Sequence, residues 1–249
     1  MRIVRNKKGQ FILIAVMMIA IMIVSIGAVL HSAGTYYRYE QWEEYITLVE
    51  HIKFNTIRLV EISLANFTTC GNNSTGMHAY ALRMYNSTLK DNLNQWQNDL
   101  RTAYPGYGVI LAYELADGTN IDYFQGFASK WDETVSYSTA NATFALNITS
   151  VGLTGFRFMA TPLLSLAIVN ASASTDEIIV AVTQEDEMPV LKLERDNFQV
   201  DGLNVTNVAS SYDPDYVLVY TIKCDSNIPA AVTVRVRDHR GIQVIARSG

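Results

Sequence analysis

The chain begins with a long apolar stretch. Residues 11–30 contain no charged side chain, and only Ser25 and Gly27 interrupt the hydrophobic run. As an α-helix that rises about 1.5 Å per residue, these positions would extend roughly 30 Å, which is the thickness of the hydrocarbon core of a bilayer. The pattern therefore predicts a transmembrane helix.

The apolar stretch is followed by a pattern typical of amphipathic helices. Between Trp42 and Leu64 apolar residues recur every three or four positions, and no proline occurs before Pro105. This spacing predicts that the helix continues as a stalk, giving one transmembrane and stalk helix over 10–66. The segment TTCGNNSTG and a second apolar stripe from Met77 to Leu100 predict a loop and a second amphipathic helix over 67–107.

From Gly108 onward the pattern favours β-strands. Short or alternating apolar runs are separated by Gly, Asn, Asp and Pro, which is typical of an antiparallel sandwich. We place a boundary near Pro162, with the first part of a β-rich head at 108–162 and a second part at 163–249. The predicted fold class is α+β, a long N-terminal helix and a second helix before an antiparallel β-sandwich. The runs are Val109–Tyr113, Thr143–Val151, Leu163–Val169, Ile178–Val182, Tyr216–Ile222, Ala231–Val236 and Ile242–Ile245.

Basic residues flank the apolar stretch unequally. Arg2, Arg5, Lys7 and Lys8 precede it, whereas the first basic residue after it is Arg38. Positive charge remains on the cytoplasmic side of a membrane, so this bias predicts a single-pass protein with a cytoplasmic N-terminus and an extracellular head. A secretory signal cut near 32–34 is an alternative, although its apolar core would be unusually long.

The tetrapeptide Lys7-Lys8-Gly9-Gln10 lies directly before the apolar run. This junction resembles the class III signal of type IV pilins and archaellins, in the archaeal style. The resemblance implies a prepilin peptidase that cuts after Gly9, a leader at 1–9, and a retained helix. It also implies that 11–30 packs against other pilin-like subunits. Bacterial pilins usually carry a glutamate five residues into the mature chain, where this chain has Ile14.

The C-terminal part carries a second resemblance. The segments DNFQVDGLNVTN, YVLVYTIKC and VTVRVRDHRGIQVIA show the strand rhythm of the immunoglobulin-like modules found in prokaryotic surface proteins. This resemblance implies an immunoglobulin-like β-sandwich over 163–249. Cys224 stands outside any Cys…Trp…Cys frame, so the chain differs from antibody-type domains.

Two chemical features are typical of an exported protein. Cys70 and Cys224 would both lie on the exported side, where a disulfide between them is the first interpretation and two buried thiols the other. Eight Asn-X-Ser/Thr acceptors also follow the apolar stretch, which predicts a glycoprotein or else a β protein with accidental matches. The acceptor asparagines are Asn66, Asn72, Asn73, Asn86, Asn141, Asn147, Asn170 and Asn204.

Charge and motifs exclude some activities. The net charge is −5 and would become −9 without residues 1–9, so nucleic acid is not an expected partner. The four histidines stand outside metal-ligand spacings, and hydrolase, P-loop and dinucleotide-binding motifs are lacking. The acidic runs 185–187 and 213–215 lack a full calcium loop. We therefore predict no catalytic site, metal or cofactor.

The sequence leaves three functions open. The first is an exported type IV pilin-like surface protein, as filament subunit, minor pilin or adhesin. The second is an uncleaved single-pass surface receptor or solute-binding glycoprotein that keeps residues 1–9. An exported enzyme is the third, and it would need a cleft of convergent polar groups.

Overall fold

The computed structural model describes residues 7–70, 88–118, 121, 123–171, 175–215 and 217–248. Within the first of these ranges, side chains are described for 16–32 and 44–69. The chain divides into two units, Met1–Ile52 and Lys53–Gly249. The described part of the first unit is wholly helical, and every described strand lies in the second.

Two α-helices are present among the described residues. Helix α1 spans Lys7–Cys70 and helix α2 spans Thr88–Ala103. Helix α2 has Asp91 in its first turn and Arg101 in its last, and both charges complement the helix dipole. The first residues of the predicted second helix, Met77 to Asn86, lie outside the described residues.

Twelve strands, named in chain order, form three antiparallel sheets in the described residues. Their orders are β1-β4-β5, β2-β3-β6-β7-β10-β9 and β12-β11-β8. The strands are β1 Val109–Leu115, β2 Phe127–Lys130, β3 Val135–Ala140, β4 Ala142–Ile148, β5 Leu153–Ala160, β6 Leu163–Ala171, β7 Glu177–Gln184, β8 Phe198–Val200, β9 Val205–Tyr212, β10 Leu218–Cys224, β11 Val232–Arg237 and β12 Gln243–Ser248.

Alternating burial explains why these segments form sheets. Strand β4 buries every second residue, including Phe144, Leu146 and Ile148, while the residues between them are half-buried. A strand directs successive side chains to opposite faces, so such a pattern is satisfied by one covered face. Strand β12 packs on β3 and β6, which closes the sandwich between the six-stranded sheet and the second three-stranded sheet.

The end of α1 packs on the sheets of the same unit. The rings of Phe67 and Phe127 are stacked with centroids 4.7 Å apart, and both side chains are buried. The hydroxyl of buried Thr68 accepts a hydrogen bond from the backbone N–H of Gln243 at 3.0 Å, and it lies within hydrogen-bond distance of the Leu64 carbonyl. These contacts join the helix to β2 and to β12.

The predicted fold class is corrected by these observations. The unit Lys53–Gly249 is mostly β, with twelve antiparallel strands, so an α+β class founded on a transmembrane and stalk helix is wrong. The predicted apolar runs omit β2, β3, β5, β8 and β9, of which β2 and β8 are short and β3 and β9 are polar. Strands on both sides of the predicted boundary at 162 share one sheet, because β3 pairs with β6.

The predicted membrane location is corrected as well. In the part of the chain whose residues are described, no helix is both long enough and apolar enough to cross a bilayer. The single-pass topology, and with it the transmembrane part of the pilin resemblance, is therefore wrong.

Candidate functional site

The most unusual surface of the described chain is the segment Val16–Leu30 of α1, which we call the apolar segment. Its large hydrophobic side chains are all exposed, from 57% at Ile26 to 71% at Val24. No second element is present in the described part of the unit Met1–Ile52, so nothing described in that unit covers the segment. Contiguous apolar surface of this extent marks an interaction site.

The apolar character extends around the whole helix. Ile21, Met22, Ile23 and Val24 are consecutive, and each is at least 60% exposed. Consecutive residues of an α-helix are separated by about 100°, so these four positions point in four different directions. A helix that is hydrophobic on every face is stable only when its apolar side chains are buried against other apolar groups.

The predicted processing residues lie at the start of α1. Helix α1 begins at Lys7, so the Gly9–Gln10 bond belongs to its first turns. A protease needs an extended backbone, and cleavage would require these turns to unwind. Gly9 lowers the cost of unwinding because glycine is a poor helix former. The roles of Lys7, Lys8, Gly9 and Gln10 remain predictions.

The glycosylation candidates fall into different environments. Asn66 and Asn170 are exposed, whereas Asn141 is half-buried. The sequon hydroxyl of Thr68, which follows Asn66, is buried and hydrogen-bonded, so a modifying enzyme would not reach it in the folded protein. Asn72, Asn73 and Asn86 lie outside the described residues.

Two further acceptor asparagines have structural hydrogen bonds. The Asn147 Oδ1 accepts from the Gly155 N–H at 2.6 Å, and the Asn204 Nδ2 donates to Asp225 Oδ2 at 2.8 Å. The Asn204 contacts lower the pKa of the Asp225 carboxyl, because hydrogen bonds favour its charged form. Use of any of the eight acceptors remains a prediction.

The proposed disulfide has only one described end. Cys224, at the end of β10, is buried, and burial raises the pKa of its thiol, with the carboxylates of Asp225 and Asp176 adding to the effect. The side chain of Cys70 lies outside the described residues, although its backbone ends α1. Their pairing remains a prediction.

The acidic runs serve local structure. Glu185 belongs to a 3₁₀ turn over Glu185–Glu187 and accepts a hydrogen bond from the Leu163 N–H at 2.7 Å. Asp213 accepts from the N–H groups of Asp215 and Val217 and so stabilises the turn before β10. Among the described residues, no group of three or more His, Cys, Asp or Glu side chains is arranged to hold a metal ion.

A charged cluster around Arg240 was missed by the sequence interpretation. The guanidinium contacts Asp238 at 2.7 Å, Glu185 at 2.5 Å and the Leu163 carbonyl at 2.8 Å, and Glu61 lies 3.6 Å away. The Asp238 side chain is fully buried and also accepts from backbone N–H groups of its own turn. Although burial opposes the charge on Arg240, the neighbouring carboxylates raise its pKa above the usual value. This cluster places Glu61 of α1 beside the β11–β12 turn.

Glu61 is the least favourably placed carboxylate of this cluster. Burial is the main cause that raises its pKa above the ordinary 4.5, and the nearby Arg240 only partly opposes the effect. The folded state therefore holds the Glu61 proton more strongly than the unfolded state, and Glu61 costs stability as the pH rises through its folded pKa.

We expect Glu61→Gln to be more stable than the parent chain at neutral pH. The advantage should disappear below pH 4.5, where the carboxyl is protonated in both states. Urea unfolding at pH 7 and pH 4 measures it, with Glu187→Gln on an exposed residue as the control. A variant less stable than the parent at pH 7 would show that the attraction to Arg240 outweighs the cost of burial.

An open polar groove of about 440 Å³ lies along β8 and the start of β9. The residues that line it include Arg195, Asp196, Phe198, Gln199 and Asn204. The groove offers charges of both signs, but it shows no set of convergent side chains that would define a reaction.

Comparison with known proteins found no matching family model, no matching curated protein and no matching solved structure.

Proposed function

We propose that this chain is a subunit of a homomeric surface assembly, such as a filament, of the pilin-like kind that the Lys7-Lys8-Gly9-Gln10 junction implies. Copies processed after Gly9 would pack their apolar segments against one another. The observation that carries the proposal is the exposure of apolar side chains on every face of α1 between Val16 and Leu30.

The exposed side chains of the apolar segment point in all directions, which favours packing against several helices over packing against a single partner. A single partner would cover one stripe and leave the opposite face of the helix in water, whereas a bundle of identical helices covers all faces. Burial of each large apolar side chain contributes roughly 1.5–3 kcal/mol. Eleven such side chains are exposed in the segment, so the gain available to a bundle is large.

The composition of the segment suits packing against identical copies. It contains no charge, so neighbouring copies do not repel one another through it. Ser25, Gly27 and Ala28 are small and allow two helix backbones to approach closely, and a side chain added at Gly27 would meet only open space. Met17, Met18 and Met22 are flexible and can fill irregular gaps.

Ile23→Glu tests the proposal. The glutamate would enter the bundle without a cation to pair with, and burying an unpaired carboxylate is strongly unfavourable. We expect the amount of chain recovered in sedimentable assemblies from the native host to fall by about tenfold or more. Val169→Glu is the matched control, because Val169 is a comparably exposed apolar residue on β6, which belongs to the other unit.

The N-terminal sequence of the recovered protein gives the second readout. A start at Gln10 is expected. Assemblies that form equally well with Ile23→Glu would overturn packing through the apolar segment. A protein that begins at Met1 and sediments as single copies would instead favour the receptor or solute-binding function, for which the groove beside β8 is the place to search.

A further inference from the structure

Four polar side chains with planar ends lie together on one face of the three-stranded sheet β12-β11-β8. Arg235 and Arg237 are two positions apart on β11, so both side chains point to the same face. Gln199 of β8 stands directly opposite Arg235, and Gln243 of β12 stands directly opposite Arg237. Opposite residues of an antiparallel pair have Cβ atoms about 4.5–5.5 Å apart. We call these four neighbouring residues the Arg–Gln quartet.

The Arg–Gln quartet lines a groove of about 330 Å³. Small-molecule sites in proteins begin at about 300 Å³, so the groove has room for a group of the size of one ring. Asp196 and Asn197 form a further wall, and hydrogen bonds hold this wall in place. The Asn197 Nδ2 donates to the Arg237 carbonyl at 2.8 Å, and the Asn197 Oδ1 accepts from the Glu194 N–H at 2.8 Å. The groove is therefore preformed.

One oxygen of the Arg–Gln quartet lacks a donor. The Gln243 Oε1 is buried and accepts no hydrogen bond from any residue that the structure describes. A buried carbonyl oxygen without a donor is costly, and such atoms are uncommon in folded proteins. Because the last torsion of a glutamine side chain is broad, a small rotation brings this oxygen to a donor placed in the groove. The quartet thus holds an acceptor that a ligand can satisfy.

The charges around the Arg–Gln quartet are balanced. The Arg235 Nη2 lies 3.7 Å from the Asp201 Oδ1, and Asp196 lines the same groove as Arg237. Two guanidinium groups therefore stand beside two carboxylates. A ligand with a net charge of either sign would be attracted by one kind of group and repelled by the other. The groove consequently favours a neutral ligand that can both donate and accept hydrogen bonds.

We propose that the Arg–Gln quartet binds a neutral sugar ring. A hydroxyl group donates and accepts at the same time, so one sugar hydroxyl can accept from a guanidinium N–H and donate to the Gln243 Oε1. The planar guanidinium and carboxamide groups each present two polar atoms side by side, which matches neighbouring hydroxyls on a sugar ring. A peptide fits less well, because each polar atom of its backbone either donates or accepts.

Sugar binding is independent of the proposed assembly. The Arg–Gln quartet lies in the unit Lys53–Gly249, whereas the apolar segment lies in the unit Met1–Ile52. The quartet would add a recognition function to a subunit that assembles through the apolar segment. We therefore expect Ile23→Glu to leave sugar binding unchanged, so failure of either proposal is read separately from the other.

Saturation-transfer-difference NMR of the full chain with glucose, galactose, mannose and N-acetylglucosamine tests the proposal. We expect at least one of these sugars to give signals from its ring protons. Arg237→Met should weaken binding of that sugar by about tenfold or more, because hydrogen bonds from a charged group are lost. Arg157→Met, which replaces an equally exposed class of residue on β5, is the matched control and should bind the sugar as the parent chain does.

Gln243→Leu separates binding from folding. The substitution removes the oxygen that lacks a donor, so the variant should be at least as stable as the parent chain in urea unfolding, while its sugar binding falls by about tenfold. Gln199→Ala should weaken binding as well, and because Gln199 is exposed this variant keeps its fold. A loss of stability in Gln243→Leu would show that the amide supports the fold and would overturn its assignment to a ligand.

Further outcomes would also overturn the proposal. None of the four sugars gives a signal with the parent chain, or Arg237→Met binds sugar as well as Arg157→Met does. Two additional probes test the chemistry of the ligand, namely glucuronate, which adds a negative charge to a sugar ring, and triglycine, which presents only peptide groups. If either binds more tightly than all four neutral sugars, the groove is a site for an anion or a peptide instead.

Discussion

Replacing Arg240 with methionine should lower the free energy of unfolding by about 3–5 kcal/mol. Arg240 is 11% exposed and faces Asp238, Glu185 and Glu61, of which the Asp238 side chain is completely buried. Methionine keeps most of the aliphatic stem but removes the guanidinium, so a buried carboxylate would remain without its cation. Urea unfolding followed by circular dichroism measures the loss.

Two comparisons isolate the charge. Arg157→Met on exposed β5 should change the free energy of unfolding by less than about 1 kcal/mol, because surface charges contribute little. Arg240→Met combined with Asp238→Asn should recover part of the loss, because the partner is then neutral. A single Arg240→Met variant as stable as Arg157→Met would show that water replaces the guanidinium beside Asp238 and Glu185.

Phe67→Ala should also cost about 3–5 kcal/mol, because it leaves a cavity in a close-packed interior. The Phe67 ring is 4% exposed and stacks on Phe127 with the planes only 6° apart. Alanine cannot fill the volume between the helix and β2, and the loss combines reduced burial with lost ring contact. Thermal and urea unfolding of the full chain measure the effect.

The same helix supplies the control for this prediction. Phe54 lies on α1 and is 63% exposed, so Phe54→Ala removes an equal number of atoms while creating no cavity. We expect it to change the free energy of unfolding by less than about 0.5 kcal/mol. Equal effects of the two substitutions would show that the end of α1 is not packed on the sheet.

The strands that sequence could locate are those with regular apolar alternation. Strands β7, β10 and β11 bury Ile178, Ile222 and Val234 at positions that the hydrophobic pattern indicates, and each overlaps its predicted run. Such strands can be predicted because a strand with one covered face has an apolar residue at every second position. Their ends differ from the prediction by a few residues, since pairing with neighbours decides where a ladder stops.

The polar strands could not be predicted from the sequence, for a physical reason. Strand β3 reads VSYSTA and buries Ser136 and Ser138, whose hydroxyls donate to the carbonyls of Glu133 and Gln243. Trp131 donates its Nε1–H to the Ser138 hydroxyl as well. These partners are distant in sequence or in an adjoining turn, so the residue types alone did not indicate a strand. The tertiary hydrogen bonds make burial of these side chains possible.

The candidate site was only partly predictable. The apolar segment was evident from the sequence alone, but its treatment as a membrane span was wrong. The Arg240 cluster could not be predicted, because its carboxylates come from positions 61, 185 and 238. The order of strands in the six-stranded sheet is likewise set by long-range pairing.

The hydrogen bond between Gln243 and Thr68 links residues that are 175 positions apart. The end of α1 therefore cannot reach its final packing until β12 has been synthesised and added to the sandwich. Contacts between residues so distant in sequence form slowly, and the apolar face at the end of α1 stays exposed until they have formed. Until β12 docks, the hydroxyl of Thr68 is also accessible beside Asn66, so the extent of modification at Asn66 would record how long the unfinished chain persists before it closes.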